Sequence, residues 1–526
     1  MDTKALRQKI LDLAIRGKLV PQDPNDEPAS VLLEKIRAEK QQMVKDGKLK
    51  AKDIKNDTII FKGEDNCHYE KFPDGSVKCI DDEIPFELPN GWAWCNLSMI
   101  GQTNIGLTYH PTDIVTNGTM VLRSSNIVNG KLDFNDLVRV NTNIRESQYV
   151  KINDILICAR NGSKSLVGKC AIIKDISEKA SFGAFMAIYR TVFYEYVYYF
   201  LNTNLFREVF YDGNSTTINQ LTQAMIKSAR IPLPPYSEQC RIVKKLHFLL
   251  TFLDKVESNK NEIQVSIQVM KSKILDLAIR GKLVPQDPND EPASVLLEKI
   301  RAEKENLIKE GKIKRDKRES VIYKGDDNSY YEKIGDEIKD ISAEIPFDLP
   351  QGWEWTRLNN VCSILTDGTH KTPNYTDKGF IFLSSRNITS GKIDWENVMY
   401  IPENLHNELY SRLSPNINDI LLAKNGTTGV VALVDKEYIF DIYVSLALIR
   451  ILNGIILPKY VIFAIRSSFV QNYFNSSLKG IGVPNLHLEH IRNTLIPIPP
   501  YGMQEKIVEK LDKYFETIES IEKSLI

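Results

Sequence analysis

The sequence has no long apolar run and little cysteine. No stretch approaches the roughly 18 apolar residues that a membrane span requires, and the first residues, MDTKALRQKI, lack the apolar core of a signal peptide. The seven cysteines are odd in number and irregular in spacing, which indicates a reducing compartment. We therefore expect a cytoplasmic protein that makes no contact with a membrane.

The sequence also lacks a convincing zinc site and has no net charge. Cys67, His68 and Cys79 could suggest zinc, but the second half of the chain has Ser329 where the first has Cys67, so we predict free thiols and no metal. The 68 basic residues are balanced by 68 acidic ones. A protein that binds DNA alone normally has a basic balance, so any tight hold on phosphates would be shared with a partner.

Enzyme motifs are also absent. The chain has no P-loop, no metal-binding helix motif and no convincing nuclease set of carboxylates and lysine. Pro-Pro-Tyr occurs twice and is similar to the tripeptide of amino-methyltransferases, but it follows Leu233 and Ile498, whose side chains cannot accept a hydrogen bond from an amine. We predict no catalytic residue and no cofactor of the chain's own.

What the sequence does contain is a long helical pattern at its middle. Residues 237–280 include no proline or glycine, and their apolar residues recur at alternating steps of four and three, the 3.5-residue repeat of a coiled-coil seam. Such a helix would be about 65 Å long. The same steps return at the C-terminus from residue 507. The predicted seam consists of Ile242, Leu246, Leu249, Leu253, Val256, Ile263, Ile267, Ile507, Leu511 and Ile518.

A perfect repeat extends this pattern to the N-terminus. Residues 9–40 recur without a change at 273–304. The second copy of the long helix is then split between the two ends of the chain, which together would rebuild it. We predict two units in a circular, pseudo-two-fold arrangement, joined by long antiparallel coiled-coil helices. A further helix is predicted at about 29–46.

Two mixed α/β domains fill the intervals between the repeated helices. They share anchors rather than whole sequences: IPFELPNGWAW (84–94) matches IPFDLPQGWEW (345–355), and IPLPPYSEQ (231–239) matches IPIPPYGMQ (496–504). Each domain is expected to contain one helix, at about 194–210 and 459–474. The predicted boundaries are 1–57 for an N-terminal helical segment, 58–235 for the first domain, 236–281 for the central helix, 282–320 for the repeated loop and helix, 321–500 for the second domain and 501–526 for the C-terminal helix.

Polar loops at matching places of the two domains are the candidate binding residues. INDILICARNG (152–162) matches INDILLAKNG (417–426) after one gap, and LRSSNI (122–127) matches LSSRNI (383–388). Arginine and lysine can donate to guanine O6 and N7, and asparagine can pair with adenine; alternatively, Asn-Gly and Asp-Gly mark turns and no more. The candidates for DNA binding are Tyr109, His110, Arg123, Asn126, Arg160, Asn161, Ser163, Lys164, Thr366, Asp367, Thr369, His370, Lys371, Arg386, Asn387, Lys424, Asn425 and Thr427.

The order of these motifs resembles the specificity (S) subunit of type I restriction–modification systems. The match includes ELPNGWAW, GLTYHP, TDGTHKTP, the two NDIL runs and the two exits from the domains into the helices. It covers nearly the whole chain. The one departure is Gly502-Met503-Gln504 at the start of the C-terminal helix, where the first exit has Ser237-Glu238-Gln239.

This resemblance implies a non-catalytic subunit that recognises double-stranded DNA. Two target-recognition domains would each read one half of a bipartite, asymmetric site, and the paired helices would set the spacer between the halves. The implied partners are two methyltransferase (M) subunits, which methylate adenine N6, and two restriction/translocase (R) subunits. S-adenosylmethionine, ATP and magnesium are expected only on those partners.

Two other functions stay open at this point. One is a coiled-coil scaffold for protein partners, and the other is a self-sufficient DNA methyltransferase or nuclease. The missing motifs argue against the enzyme, and the matched polar loops argue against the scaffold. Methyl transfer from labelled S-adenosylmethionine would reveal the enzyme, and salt-sensitive binding to duplex DNA would separate a DNA reader from a scaffold.

Overall fold

The computed structural model describes residues 2–51, 54, 57–211, 220–316, 318–452, 454–478 and 485–525. The chain divides into unit 1, residues 1–259, and unit 2, residues 260–526. The boundary falls inside one continuous helix, Tyr236–Ile279. Each unit combines helices with a strand-rich domain, so the predicted mixed α/β class is confirmed. No helix within the described ranges is long and apolar enough to cross a membrane.

The elements of unit 1 run in the order of two helices, a strand-rich domain and a long helix. Its helices are α1 (Thr3–Ile15), α2 (Ala29–Lys45), α3 (Leu97–Ile100), α4 (Tyr194–Leu201), α5 (Asn204–Tyr211), α6 (Gln223–Ser228) and the first part of α7 (Tyr236–Ile279). Its strands are β1 (Ile59–Lys62), β2 (His68–Lys71), β3 (Val77–Cys79), β4 (Ala93–Asn96), β5 (Gln102–Ile105), β6 (Ile114–Leu122), β7 (Ile127–Val128), β8 (Lys131–Leu132), β9 (Val138–Val140), β10 (Ile155–Cys158), β11 (Cys170–Ile172), β12 (Ala180–Phe182), β13 (Met186–Arg190) and β14 (Arg230–Leu233).

The elements of unit 2 repeat that order. Its helices are the second part of α7, α8 (Ala293–Lys309), α9 (Glu403–Arg412), α10 (Pro458–Arg466), α11 (Ser468–Ser476), α12 (Leu488–Arg492) and α13 (Tyr501–Leu525). Its strands are β15 (Ser320–Lys324), β16 (Tyr330–Ile334), β17 (Glu337–Asp340), β18 (Glu354–Arg357), β19 (Cys362–Asp367), β20 (Phe380–Leu383), β21 (Met399–Ile401), β22 (Ile420–Ala423), β23 (Val431–Leu433), β24 (Phe440–Ile442), β25 (Leu446–Ile451) and β26 (Leu495–Ile498).

The sheets of the two domains have the same topology. The order β11-β10-β13-β5 in unit 1 corresponds to β23-β22-β25-β19 in unit 2, with antiparallel pairing throughout. The order β12-β6-β9 corresponds to β24-β20-β21, and each contains one parallel pair. The domains differ in the connections between these strands: unit 1 has the short hairpin β7-β8 between β6 and β9, and unit 2 has helix α9 between β21 and β22. The framework is thus duplicated although the sequences have diverged.

The prediction of one continuous helix at 194–210 and another at 459–474 is wrong, because a buried hydroxyl group divides each stretch into two helices. Thr203 separates α4 from α5: its Oγ1 donates to the carbonyl of Phe200 and accepts from the amide of Phe206. Ser467 separates α10 from α11 by donating to the carbonyl of Ala464 and accepting from the next helix. Such a side chain caps a new helix and so ends the preceding one.

In unit 1, α1 packs against the first part of α7. Arg7 of α1 pairs with Asp254, and Asp26, in the loop after α1, pairs with Arg241, so this part of the chain runs opposite to α7. The shared core lies between them. Its buried residues from these two helices are Ile10, Leu11, Ala14, Ile15, Ile242, Leu246 and Leu253.

In unit 2, α13 takes the place of the N-terminal half of α7, and the second part of α7 takes the place of α1. Lys271 pairs with Glu522 at 2.8 Å, and Lys506 lies 3.8 Å from Asp290, which repeats the antiparallel order. The buried seam residues here are Ile267, Ile507, Leu511 and Ile518.

The strict heptad interpretation needs one correction. Ile263 is 42% exposed, and the buried residues of α7 beyond Ile267 are Leu275, Ala278 and Ile279. Here α7 packs against a domain as well as a helix, so its buried face is wider than a two-helix seam. Leu249 and Val256 are half-buried. The predicted circular closure depends on Met1 and Ile526, which lie outside the described residues.

The NDIL motif is explained by a buried ion pair. Asn153 adopts the left-handed conformation with φ 71°, which turns the chain so that Asp154 points into the domain. The Asp154 carboxylate is 1% exposed and accepts two hydrogen bonds of 2.6 Å from Arg190. Asp419 and Arg450 repeat this arrangement in unit 2. The motif therefore recurs because it fastens β10 to β13 and β22 to β25.

A second ion-pair cluster holds the small sheet β1-β2-β3 against the pair β4-β14. In unit 1, Arg230 of β14 donates to Glu70 at 3.1 Å and to Glu83 at 2.7 Å. Glu70 is buried. Burial opposes the charge on Glu70, but hydrogen bonds from Thr58 and Arg230 outweigh it and keep the pKa of this carboxyl below its usual value.

In unit 2 the same cluster is built with the arginine on the opposite strand. Arg357 of β18 donates to Glu332 and Glu344, and the residue paired with it across the strands is Leu495. In unit 1, Asn96 holds the place of Arg357, directly opposite the arginine of β14. The guanidinium thus comes from β14 in unit 1 and from β18, the counterpart of β4, in unit 2, whereas both carboxylates lie at equivalent positions.

The two exits into the long helices start at equivalent residues, Tyr236 and Tyr501, despite their different sequences. Glu238 is buried and accepts hydrogen bonds from Trp92 Nε1 at 2.9 Å and Gln22 Nε2 at 3.0 Å. Its counterpart Met503 is also buried. In unit 2, Trp353 Nε1 donates directly to Gln286 Oε1 at 2.9 Å; these residues are the counterparts of Trp92 and Gln22. The junction between domain and long helix is thus held by a buried carboxylate in unit 1 and by a direct hydrogen bond from tryptophan to glutamine in unit 2.

Replacing Glu238 with methionine should change how stability depends on pH. Burial raises the pKa of Glu238 above its ordinary 4.5, so the folded state holds this proton more tightly than the unfolded state. The stability from the protonated carboxyl is present below pH 4.5 and is lost as pH rises through the raised pKa. The free energy of unfolding of E238M, relative to wild type, should therefore increase over that interval in urea titrations. M503L, which changes no ionisable group, should show no such slope.

Candidate DNA interface

In the first domain, loops from separate strands meet at one edge of the sheets. The loop after β5 is joined to the end of β12 by a 2.6 Å hydrogen bond from the Leu107 amide to the Phe182 carbonyl. The Gly183 amide donates to the Leu122 carbonyl at the end of β6. The Arg160 amide, just after β10, donates to the Phe185 carbonyl. We call residues 106–110, 123–126, 159–165 and 183–186 the first loop cluster.

Unit 2 forms the same arrangement from the equivalent strand ends. The Thr369 amide donates to the Ile442 carbonyl, and the Tyr443 amide donates to the Leu383 carbonyl. The Lys424 amide donates to the Ser445 carbonyl at 2.8 Å. We call residues 368–372, 384–387, 424–428 and 443–446 the second loop cluster. Nearly all of the sequence-predicted residues lie in or beside these two clusters.

A glycine is required where the loops of each cluster approach most closely. A Cβ atom at Gly106 would lie 2.2 Å from the Gly183 carbonyl oxygen, and one at Gly368 would lie 2.0 Å from the Ile442 carbonyl oxygen. Such contacts are far inside van der Waals distance. The glycines of GLTYHP and TDGTHKTP therefore serve the framework that presents the neighbouring polar side chains.

The backbone corrects the alignment of the two clusters by one residue. The sequence comparison matched Lys424 with Arg160. The structure instead gives Lys424 the backbone contacts of Ala159, since their carbonyls accept from the amides of Leu486 and Leu221 respectively. Asn425 then corresponds to Arg160, because each forms the next isolated bridge. The extra residue of the first domain is therefore accommodated further along its loop.

Two of the predicted asparagines hold turns. Asn126 is 1% exposed; its amide nitrogen donates to the carbonyls of Asp133 and Asp136, and its oxygen accepts from the Arg123 amide. Asn387 repeats this role in the second domain by bonding to Ser384 and Asn397. Their hydrogen-bonding groups are used within the protein, and that they read bases stays a prediction.

Lys424 is also used internally. Its Nζ lies 2.5 Å from Asp367 Oδ2, and the lysine side chain is only 6% exposed. His370 Nε2 lies 3.5 Å from the same carboxylate oxygen and is itself exposed. The Lys424–Asp367 pair joins the ends of β22 and β19, which positions the loops that follow. That Lys424 donates to a base stays a prediction, and in this structure its ammonium group already pairs with Asp367.

The other candidates remain accessible to a ligand. Arg123 is half-buried and pairs with Asp136 at 2.7 Å, and Asn161 donates to Ser124. The exposed candidates are His110, Arg160, Ser163, Lys164, His370, Lys371, Arg386 and Thr427. The half-buried ones are Tyr109, Arg123, Asn161, Thr366, Thr369 and Asn425.

Sequence reasoning missed several residues at these clusters. Phe185, in the turn between β12 and β13, is 60% exposed. A cavity of about 680 Å³ beside the second cluster is lined by His487 and His490 in addition to predicted residues. Neither set belongs to a repeated motif. Only the strand order, which places their loops beside the predicted ones, reveals them.

Comparison with known families shows that both halves of this duplicated architecture match the same family. The family described as "Type I restriction modification DNA specificity domain" matches residues 89–265 and again 350–526. Each match contains one loop cluster and continues into the helix that follows the domain, α7 in the first match and α13 in the second. The chain belongs to this family.

Full-length relatives agree with this assignment. The chain is 29% identical to the type I restriction enzyme EcoAI specificity subunit of Escherichia coli, over 98% of this chain and 89% of that one. It is 28% identical to the EcoEI specificity subunit of the same species, over 99% and 90% of the two chains. A chain from a solved type I R-M system has a TM-score of 0.58 at 16% identity, covering 84% of this chain and 94% of that one, and thus shares the fold. The protein is a type I specificity subunit with two target-recognition domains, a DNA-recognition component and not an enzyme.

Proposed function

We propose that the two target-recognition domains read the two different halves of a bipartite, asymmetric DNA site. The observation that carries this proposal is that two equivalent loop clusters stand on one duplicated framework while their side chains differ. Arg160 in the first cluster corresponds to Asn425 in the second. Arginine favours guanine and asparagine favours adenine, so equal positions would read unequal bases.

We also propose that the subunit acts on DNA only within a larger complex. Two M subunits would supply adenine N6 methylation and two R subunits would supply translocation and cleavage, with S-adenosylmethionine, ATP and magnesium bound by those partners. The zero net charge supports a shared hold on the phosphates. The identical segments 9–40 and 273–304 offer equivalent surfaces to two copies of one partner. A complex with this task would act in the cytoplasm, where the DNA of a bacterium lies.

The long helices are proposed to set the spacer between the half-sites. Helix α7 belongs to both units and has no glycine or proline over its 44 residues. A continuous helix has a fixed rise of about 1.5 Å per residue, so its length can define a separation. This assigns the helices a measuring role and leaves base recognition to the loop clusters.

The function is tested by mapping adenine methylation across the genome of a methylation-free bacterium that expresses this chain with its cognate M subunit. A split motif, with one modified adenine on each strand across a fixed gap, is the expected result. A continuous motif would contradict the two-domain proposal. Absence of modification by a soluble complex would favour a protein scaffold instead.

A matched pair of substitutions assigns each half-site to a domain. R160A should relax or change the first half-site only, and R386A should affect the second half-site only, each lowering methylation of the intact site by about tenfold or more. Both arginines are exposed, so their loss should leave the fold unchanged. The readout is the same methylation map. A variant that relaxed both halves equally would contradict the assignment.

A further inference from the structure

Phe185 is an exposed aromatic residue set among polar loops. Its ring is 60% exposed at the turn of the first loop cluster. The turn itself is well fixed, because the Phe185 carbonyl accepts hydrogen bonds from the amides of Ala159 and Arg160 at 2.9 and 3.0 Å. The guanidinium carbon of Arg160 lies 5.3 Å from the ring centroid. This distance is within the range of a cation–π contact, which orients the arginine beside the ring.

The equivalent position in the second domain has a different character. Ser445 makes the same backbone contact through its carbonyl, but its side chain is buried and its Oγ accepts from the Ser385 amide. The backbone is thus conserved between the domains while the side chain changes from an exposed aromatic ring to an internal hydroxyl. A framework role would favour similar residues at both places, so the framework does not account for Phe185.

We infer that Phe185 is a specificity-determining residue of the first domain, whose ring contacts the 5-methyl group of a thymine in the major groove. The inference rests on the proposed function. An apolar edge that touches the thymine methyl distinguishes A·T from other pairs, and a neighbouring arginine can donate to guanine O6 and N7. No acidic side chain within the described ranges pairs with Arg160, which leaves its guanidinium for this purpose. The first half-site would therefore contain a thymine close to a guanine, and the second domain would lack this mode of reading.

The experiment uses the full chain in complex with its M subunit, after the methylation map has given both half-sites. Binding is measured to duplexes in which each thymine of the first half-site is replaced by deoxyuridine, which lacks only the 5-methyl group. One replacement should weaken wild-type binding about fourfold, as expected for one apolar carbon left in water. F185A should bind the natural duplex at least fourfold less tightly and should no longer respond to that replacement.

Two further variants make the result specific. F185L retains an apolar group that can touch the methyl but cannot stack on a base, so it should keep the response to deoxyuridine. V192A removes another exposed apolar side chain, 78% exposed just beyond the opposite end of β13, and should behave as wild type. Deoxyuridine in the second half-site should affect wild type and F185A equally.

The outcomes separate this inference from the function on which it rests. If the wild-type complex does not bind the mapped site, the proposed function fails. If wild type binds but F185A keeps the response to deoxyuridine, or no single replacement in the first half-site weakens wild-type binding, the thymine assignment is wrong. If F185L loses affinity as F185A does, the ring acts by stacking and the assignment is also wrong.

Discussion

Replacing Arg230 with leucine is expected to destabilise unit 1 by about 3 kcal/mol. The substitution leaves Glu70 buried without the guanidinium that faces it, and removing one partner of a buried ion pair typically costs several kcal/mol. The loss should be visible as faster hydrogen exchange of the β1-β2-β3 amides, which identifies the unit affected. An exposed pair offers the control: R318L, which breaks the contact with Glu489, should change stability by less than about 1 kcal/mol.

The second unit supplies the rescue. Unit 2 places its arginine at the position of Asn96 and a leucine at the position of Arg230, and it keeps both carboxylates. The double variant N96R/R230L should therefore recover most of the lost stability, giving a strongly favourable coupling between two residues that face each other across a strand pair. Independent, additive effects of the two substitutions would contradict the equivalence of the two clusters.

The cost of R230L should also shrink in acid. The pKa of Glu70 lies below its usual value in the folded wild type, so the stability gained from its ionised form is present above the unfolded pKa and is lost as pH falls through the folded one. Without the arginine this carboxyl accepts a proton more readily. Wild type and R230L should therefore converge in stability as the solution becomes more acidic, which urea titrations at several pH values would show.

Lengthening α7 is expected to change the spacer while both half-sites stay the same. Seven residues inserted after Lys260 keep the 3.5-residue phase of the apolar positions and add about 10 Å of helix. DNA rises about 3.4 Å per base pair, so the methylated site should gain about three base pairs in its gap. The methylation map of the insertion variant gives the spacing directly.

A control insertion of equal length, placed outside α7, tests whether any seven-residue insertion changes the spacer. The control inserts seven glycine and serine residues at Gly75, in the turn between β2 and β3, where a Cβ atom would meet nothing within 4 Å apart from the adjacent residues. This variant should keep the wild-type spacing. Unaltered spacing in the helix variant, with normal methylation, would refute the measuring role of α7.

The elements that sequence predicts best are those determined by local periodicity. Helices α2 and α7 lie within a residue or so of their predicted ends, because apolar spacing and flanking prolines act over a few residues. The matched motifs also locate the strand ends of both domains. In contrast, the breaks at Thr203 and Ser467 depend on hydroxyl groups whose capping role becomes evident only when they are buried.

In the candidate site as well, local sequence patterns were predictable, and features that depend on the fold were not. The polar loops were found because they recur, and the structure gathers them into two clusters. Sequence alone could not separate Asn126, which holds a turn, from Asn161, which is half-buried beside it. The two have the same chemistry, and only the fold determines which hydrogen bonds each already makes. Phe185 was missed because an exposed ring and a core ring look alike in a sequence.

The exact repeat of 9–40 at 273–304 has a consequence for how the gene can change. Recombination between its two copies would remove one whole unit and join α1 to the second domain. Because Ile10, Leu11, Ala14 and Ile15 match Ile274, Leu275, Ala278 and Ile279, the junction would create no new core contact. Such a half-length chain could pair with a second copy of itself, and the resulting homodimer would recognise a palindrome in place of an asymmetric site.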